Sequence, residues 1–111
     1  MIITSYNLRG LGGATKFASL RRIFAGIRPD LLCIQETMST SEKACAMFLR
    51  LFPGWEVVAI DGVGLFGGIL CIWDPTVCEF NAYSSYAGIL LVGHLRGCYH
   101  DIKLMNVYGP Y

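Results

Sequence analysis

Asp30-Leu31-Leu32-Cys33-Ile34-Gln35-Glu36-Thr37 is the stretch that decides how this chain folds. Four consecutive apolar residues, Leu31 to Ile34, predict a short strand buried on both faces, of the kind found in a parallel sheet covered by helices. The run then gives way to three polar residues, Gln35, Glu36 and Thr37. Sheets of α/β proteins carry their chemistry just past the carboxyl ends of the strands, where a carboxylate can meet a cation or a substrate. The alternative for Glu36 is a solvated strand end.

Upstream, Ile2 to Asn7 is a β-prone segment ending in a polar residue, and Gly10, Gly12 and Gly13 mark a loop after it. Thr15 is placed to cap a helix reaching Ile27, with Phe17, Leu20, Phe24 and Ile27 on one face and Lys16, Ser19 and Arg22 away from it. Pro29 ends that helix. Strand, helix and strand in so short a span predict a βαβ unit with parallel strands. Asn7 and Glu36 then lie at the same end of one sheet and can converge if their strands are neighbours.

Downstream, Ser39 with Glu42 offers a capping box. It opens a helix whose inner face is Ala44, Met47, Phe48 and Leu51 and which stops at Pro53-Gly54. The remainder turns to β, with strands expected over 55–60, 68–73, 77–84, 88–96 and 101–107. The short connections at Asp74-Pro75-Thr76 and Arg96-Gly97 favour antiparallel hairpins.

Apolar residues make up 54% of the 111 residues and charged residues 15%, against roughly 25% charged in an ordinary globular domain. A chain of this size is one domain or part of one, with limited interior in which to hide apolar surface. It therefore buries that surface against something else or belongs to a larger domain. No apolar run approaches the ~18 residues of a membrane span. With no basic-then-apolar leader, the chain is read as soluble and intracellular, the nucleus being one candidate location.

Net charge is +1, so the whole chain carries no basic footprint for nucleic acid. Its distribution is uneven: residues 1–28 hold Arg9, Lys16, Arg21, Arg22 and Arg28 and no acid, whereas residues 29–111 hold four bases against eight acids. The basic segment can lie along a phosphate backbone or form a solvated helix face. The five cysteines show no CxxC spacing and are read as small buried hydrophobes rather than a disulfide framework or zinc site.

Gly62 to Gly67 matches GxGxxG, but it leads into a strand rather than the helix a pyrophosphate site requires, so a dinucleotide is excluded. His94 and His100 have no Cys, Asp or Ser spacing suggestive of a triad or metal site. Tyr108, leaving a strand before Gly109-Pro110, by itself reads as packing with its hydroxyl in water.

Four segments together resemble the endonuclease/exonuclease/phosphatase superfamily, the DNase I-like proteins, and within it the endonuclease domain of non-LTR retrotransposons. They are Ser5 to Leu11, similar to SWNVRGL; Arg28 to Thr37, similar to PDxxxLQET; Gly67 to Trp73; and Asn106 to Pro110, similar to NVYxP. The resemblance implies an α/β chain, the N-terminal half of a four-layer α/β sandwich with a mixed sheet and two helices, in a domain that hydrolyses phosphodiesters with Mg²⁺ or Mn²⁺. By the same resemblance Asn7 and Glu36 sit at the metal and scissile phosphate, and Tyr108 lines the phosphate pocket. Such residue types suit a hard cation that takes oxygen ligands.

The family's later motifs, an Asp-x-Asn and a Ser-Asp-His segment, have no counterpart in residues 1–111. The expectation is therefore a truncated, N-terminal part of a Mg²⁺-dependent endonuclease domain with little turnover alone and weak DNA binding. It is expected to have no membrane contact and to self-associate through an exposed sheet edge. A non-catalytic interaction module pairing through its open sheet is the second reading, and a phosphatase of the same fold the third.

Overall fold

The structure is a computed structural model that describes residues 1–63 and 66–107. In chain order it contains β1 (Ile3–Asn7), α1 (Ala14–Ile27), β2 (Leu31–Gln35), α2 (Ser41–Leu51), β3 (Glu56–Val63), β4 (Phe66–Trp73), β5 (Cys78–Ser85), β6 (Gly88–Leu95) and β7 (Ile102–Val107). One mixed sheet has the order β1-β2-β4-β3, with β1 and β2 parallel and the other pairs antiparallel. A second sheet, β5-β6-β7, is antiparallel throughout.

β2 is buried on both faces, as its apolar run predicts. Leu32 and Ile34 face the helices and meet Leu20 and Phe24 of α1, Ala44 and Phe48 of α2, and Leu70 and Ile72 of β4. Leu31 and Cys33 face the other way, into a second core with Ile69, Cys71 and Trp73 of β4, Cys78 of β5 and Ile89 and Leu91 of β6. Among the described residues the molecule is thus three layers, helices on a four-stranded sheet on a three-stranded sheet.

The helix ends differ from their sequence-based expectation. Gly13, not Thr15, is the N-cap residue of α1 and gives no side-chain cap. Thr40 rather than Ser39 caps α2, its hydroxyl accepting from the Lys43 amide at 3.2 Å. In place of a Glu42 arm, the Asp61 carboxylate of β3 accepts the Ser41 amide. A cap supplied from a distant strand leaves no local signature.

Asp74-Pro75-Thr76 is also not a hairpin. The Asp74 carboxylate accepts from the Thr76 amide at 2.9 Å and the Thr76 hydroxyl at 2.7 Å, and this turn carries the chain from the first sheet to the second. The link after Arg96 does join antiparallel neighbours, β6 and β7. Tyr86-Ala87 forms the tight turn between β5 and β6, where Ser85 pairs with Gly88.

The second sheet is one strand narrower than the first. β1 therefore overhangs it, and the residues on that face, Ile3, Ser5 and Asn7, are exposed while Thr4 and Tyr6 on the helix side are half-buried.

Candidate active site

The parallel pairing sets Asn7 opposite Gln35, so the chain leaves β1 and β2 side by side. Beyond the strand ends the two exits stay joined: the Leu8 amide donates to the Gln35 carbonyl and the Gly10 amide to the Glu36 carbonyl, both at 2.8 Å. Asn7 is exposed and Glu36 half-buried, so both are open to solvent at this end of the sheet.

The backbone here is strained. Four non-glycine residues among those described have a positive φ, and three of them, Arg9 (55°), Glu36 (52°) and Met38 (51°), lie in these two exits. The fourth, Arg28, is the C-cap of α1. Such conformations cost on the order of 1–3 kcal/mol each and cluster at functional sites, where surrounding structure holds them.

What holds them can be named. The Lys16 ammonium curls back from the first turn of α1 and donates to the carbonyls of Leu8 and of Gly10, the latter at 2.7 Å. Its charge serves the loop after β1 rather than a solvated helix face. On the other exit, the Thr37 and Met38 amides donate to the Gly68 and Gly67 carbonyls at 3.0 Å, and the Gly62 amide donates to the Ser39 carbonyl at 2.8 Å. A Cβ on Gly68, whose φ is +82°, would stand 2.0 Å from the buried Thr37 hydroxyl oxygen. Gly62 of β3 and Gly67 and Gly68 of β4 lie on paired strands, and these close approaches let the segment after Glu36 cross them.

A polar network supports the end of β2 from below. Gln35 donates from its amide nitrogen to Ser5 Oγ at 3.1 Å and to Asn106 Oδ1 at 3.0 Å. Asn106, 3% exposed on β7, donates in turn to the carbonyls of Ile34 at 3.2 Å and Leu70 at 3.0 Å. One buried amide thereby ties the second sheet to the two central strands of the first. In sequence Asn106 counts only as part of the NVYxP-like segment; a polar residue interrupting an apolar strand is the signal for its buried role.

The histidines stand apart. His94 is the cross-strand partner of Glu79 and lies 3.2 Å from its carboxylate, with Arg96 3.8 Å from the same group, while His100 is exposed in a turn. Tyr108 lies outside the described residues, as do Gly64 and Leu65. Among the described residues no three His, Cys, Asp or Glu side chains gather as a metal cluster.

Solved structures decide the fold. The AP endonuclease LMAP from Leishmania major superposes with a TM-score of 0.68 at 22% identity, over 94% of this chain and 38% of its own. The catalytic domain of Xenopus laevis APE2 matches with a TM-score of 0.68 at 13% identity, over 100% of this chain and 46% of its own. The fold is DNase I-like. The 3'-5' exonuclease NExo from Neisseria meningitidis agrees, with a TM-score of 0.65 at 22% identity over 97% of this chain and 41% of that one.

No family model matches the chain, and no curated protein matches it in sequence. The chain spans 38–46% of the length of these three DNase I-like structures. The mixed α/β architecture and two helices expected from sequence are those observed, as three layers rather than the four of the expected whole domain.

Proposed function

We propose that this chain is the metal-holding part of a divalent-metal-dependent phosphodiester hydrolase of the nuclease branch, of the kind found in non-LTR retrotransposons. The observation that carries the proposal is the convergence of three left-handed backbones beside Asn7 and Glu36 at the shared ends of β1 and β2. DNase I-like neighbours that are AP endonucleases and an exonuclease support the class of reaction.

The donor chemistry fits Mg²⁺. Glu36 offers a carboxylate and Asn7 an amide oxygen, and this ion is usually held by one or two carboxylates with water and phosphate completing its shell. When bound, the cation would polarise a phosphoryl oxygen and stabilise the leaving oxygen. Asn7 and Glu36 would hold it, and the Lys16-braced loop and the Gln35–Asn106 pair would keep those two exits in place. Four of the five bases of residues 1–28, Arg9, Arg21, Arg22 and Arg28, are exposed and available to a DNA backbone.

The Asp-x-Asn and Ser-Asp-His segments that would orient the water and supply the general base have no counterpart in residues 1–111, and general acid–base help is typically worth 10²–10⁴-fold. The chain alone should therefore turn over little substrate. Completing it with the C-terminal portion of a DNase I-like endonuclease and assaying plasmid DNA tests the proposal. Mg²⁺-dependent nicking, abolished by Glu36→Gln, is expected. Nicking that survives Glu36→Gln contradicts the site, and release of phosphate from 3'-phosphate ends without nicking favours a phosphatase.

The uncovered face of β1 favours a second reading, an interaction module. Ile3 is 44% exposed, and Met105 and Val107 of β7 are 46% and 49% exposed. Such a module would bind a partner strand without cleaving DNA, and the same plasmid assay separates the two.

A further inference from the structure

Cys33 of β2 and Cys71 of β4 are direct partners across an antiparallel pair, with both side chains on the face turned toward the second sheet. All five cysteines are free thiols. Directly opposed residues of such a pair have Cα atoms about 4.5–5.5 Å apart, inside the roughly 4.4–6.8 Å range that a disulfide spans. No other two cysteines are paired in register in either sheet among the described residues.

The pair is also reachable from one side. Cys71 is wholly buried, whereas Cys33 is 7% exposed and lines a cavity of about 350 Å³ between the overhanging β1 and β7, together with Ile3, Ser5, Gln35 and Asn106. A small oxidant entering that groove meets Cys33 first and finds Cys71 directly behind it.

We propose that Cys33 and Cys71 are a peroxide-sensitive dithiol, an oxidative modification site that closes to a disulfide between β2 and β4. The neighbouring Cys71 thiol holds Cys33 below the ordinary thiol value, and Cys33 together with burial pushes Cys71 above it. The reachable sulfur is thus the one that ionises more readily, as an attacking thiol requires.

The chemistry balances with hydrogen peroxide as the co-reactant. The Cys33 thiolate attacks one peroxide oxygen, the O–O bond breaks, and hydroxide leaves and takes up a proton to become water. Cys33 is now a sulfenic acid, oxidised by two electrons. The Cys71 sulfur attacks the Cys33 sulfur, the S–S bond forms, the S–O bond breaks, and water departs carrying the Cys71 proton. Two thiols and one peroxide give one disulfide and two waters. The bond would staple the central strand three residues before Glu36, at a level where Asn106 already touches Cys71 Sγ at 3.6 Å.

The test uses the whole chain, fully reduced, freed of reductant and treated with hydrogen peroxide. Remaining thiols are then alkylated and the peptides mapped by mass spectrometry. Loss of two of the five thiols, with a Cys33–Cys71 linked peptide as the main product, is expected. In Cys71→Ser, Cys33 should instead be trapped as a sulfenic acid by dimedone. The same treatment in urea, where the strands no longer hold the pair together, should lose the preference for this link. Oxidation of Cys45, Cys78 or Cys98 while Cys33 and Cys71 remain alkylated overturns the proposal, as does the same linkage pattern with and without urea. None of these readouts depends on nuclease activity, so the dithiol and the metal site stand or fall separately.

Discussion

Asn106 shows how one side chain can brace the strands that carry a candidate site it does not belong to. Its amide satisfies two backbone carbonyls on neighbouring strands, and its oxygen takes a hydrogen from Gln35, the residue that immediately precedes Glu36. Replacing it by Leu keeps the bulk and removes every one of these bonds. An unsatisfied buried polar group costs about 1–3 kcal/mol, so Asn106→Leu is expected to lower stability by about 2 kcal/mol in urea unfolding. Unchanged stability would mean that the amide is not the inter-sheet tie described here. Glu36→Gln should behave in the opposite way. It sits near the surface, so stability should move by about 1 kcal/mol or less while the proposed cation binding weakens.

Among the elements, α2 and α1 are anchored by quite different means, and each anchor can be probed. The Asp61 carboxylate accepts from the Ser41 backbone amide and is also engaged by the Ser41 side chain, which together hold it below the ordinary aspartate value of 3.8. A depressed carboxylate adds stability that is present above its unfolded value and is lost as pH falls through the folded one. The helical signal of α2 is therefore expected to weaken below about pH 4, and in Asp61→Asn that acid-dependent part should vanish; an identical acid profile in both proteins would remove Asp61 as the cap.

For α1 the outward arginines matter. If the proposed DNA contact is right, Arg21→Ala with Arg22→Ala should weaken non-specific duplex binding and flatten its salt dependence. Each lost phosphate contact lowers the slope of log K against log salt by roughly 0.9. A slope left unchanged would place the contact elsewhere.

The elements themselves were largely legible in the chain. β2 could be recognised because a run apolar on every residue fits only a strand covered on both faces, and the βαβ spacing carried the parallel pairing of β1 with it. The caps were not legible: Gly13 opens α1 without any side-chain cap, and Asp61 reaches α2 from a distant strand, which no local pattern encodes. The turn at Asp74 has the composition of a hairpin turn, and only the width of the two sheets decides that it switches between them. Of the site, Asn7 and Glu36 were visible as polar residues closing apolar strands. The left-handed geometry of Arg9, Glu36 and Met38 was not, because none of these residue types favours it.

At the scale of the molecule, the consequence of a four-stranded sheet lying on a three-stranded one is exposed apolar surface. Ile3, Met105 and Val107 border the groove between β1 and β7, and among the described residues both strands are sheet edges. Edges of this kind pair readily with other chains. The purified chain is expected to self-associate at micromolar concentration, and lysines at positions 3 and 107 should suppress it. A compact monomer in sedimentation would contradict the reading of this face as uncovered.

The central claim is that the shared end of β1 and β2 holds a divalent cation through Glu36 and Asn7, and electron paramagnetic resonance of Mn²⁺ tests it most directly. Free Mn²⁺ gives a sharp spectrum that fades on binding, whether or not the chain associates. Titration of the chain should show Mn²⁺ captured and then released by Mg²⁺. Removing the single charge in Glu36→Gln should weaken capture by at least about tenfold, a loss of roughly 1.4 kcal/mol, with the fold unchanged by circular dichroism. Equal capture of Mn²⁺ by the two proteins, or none by either, would contradict it.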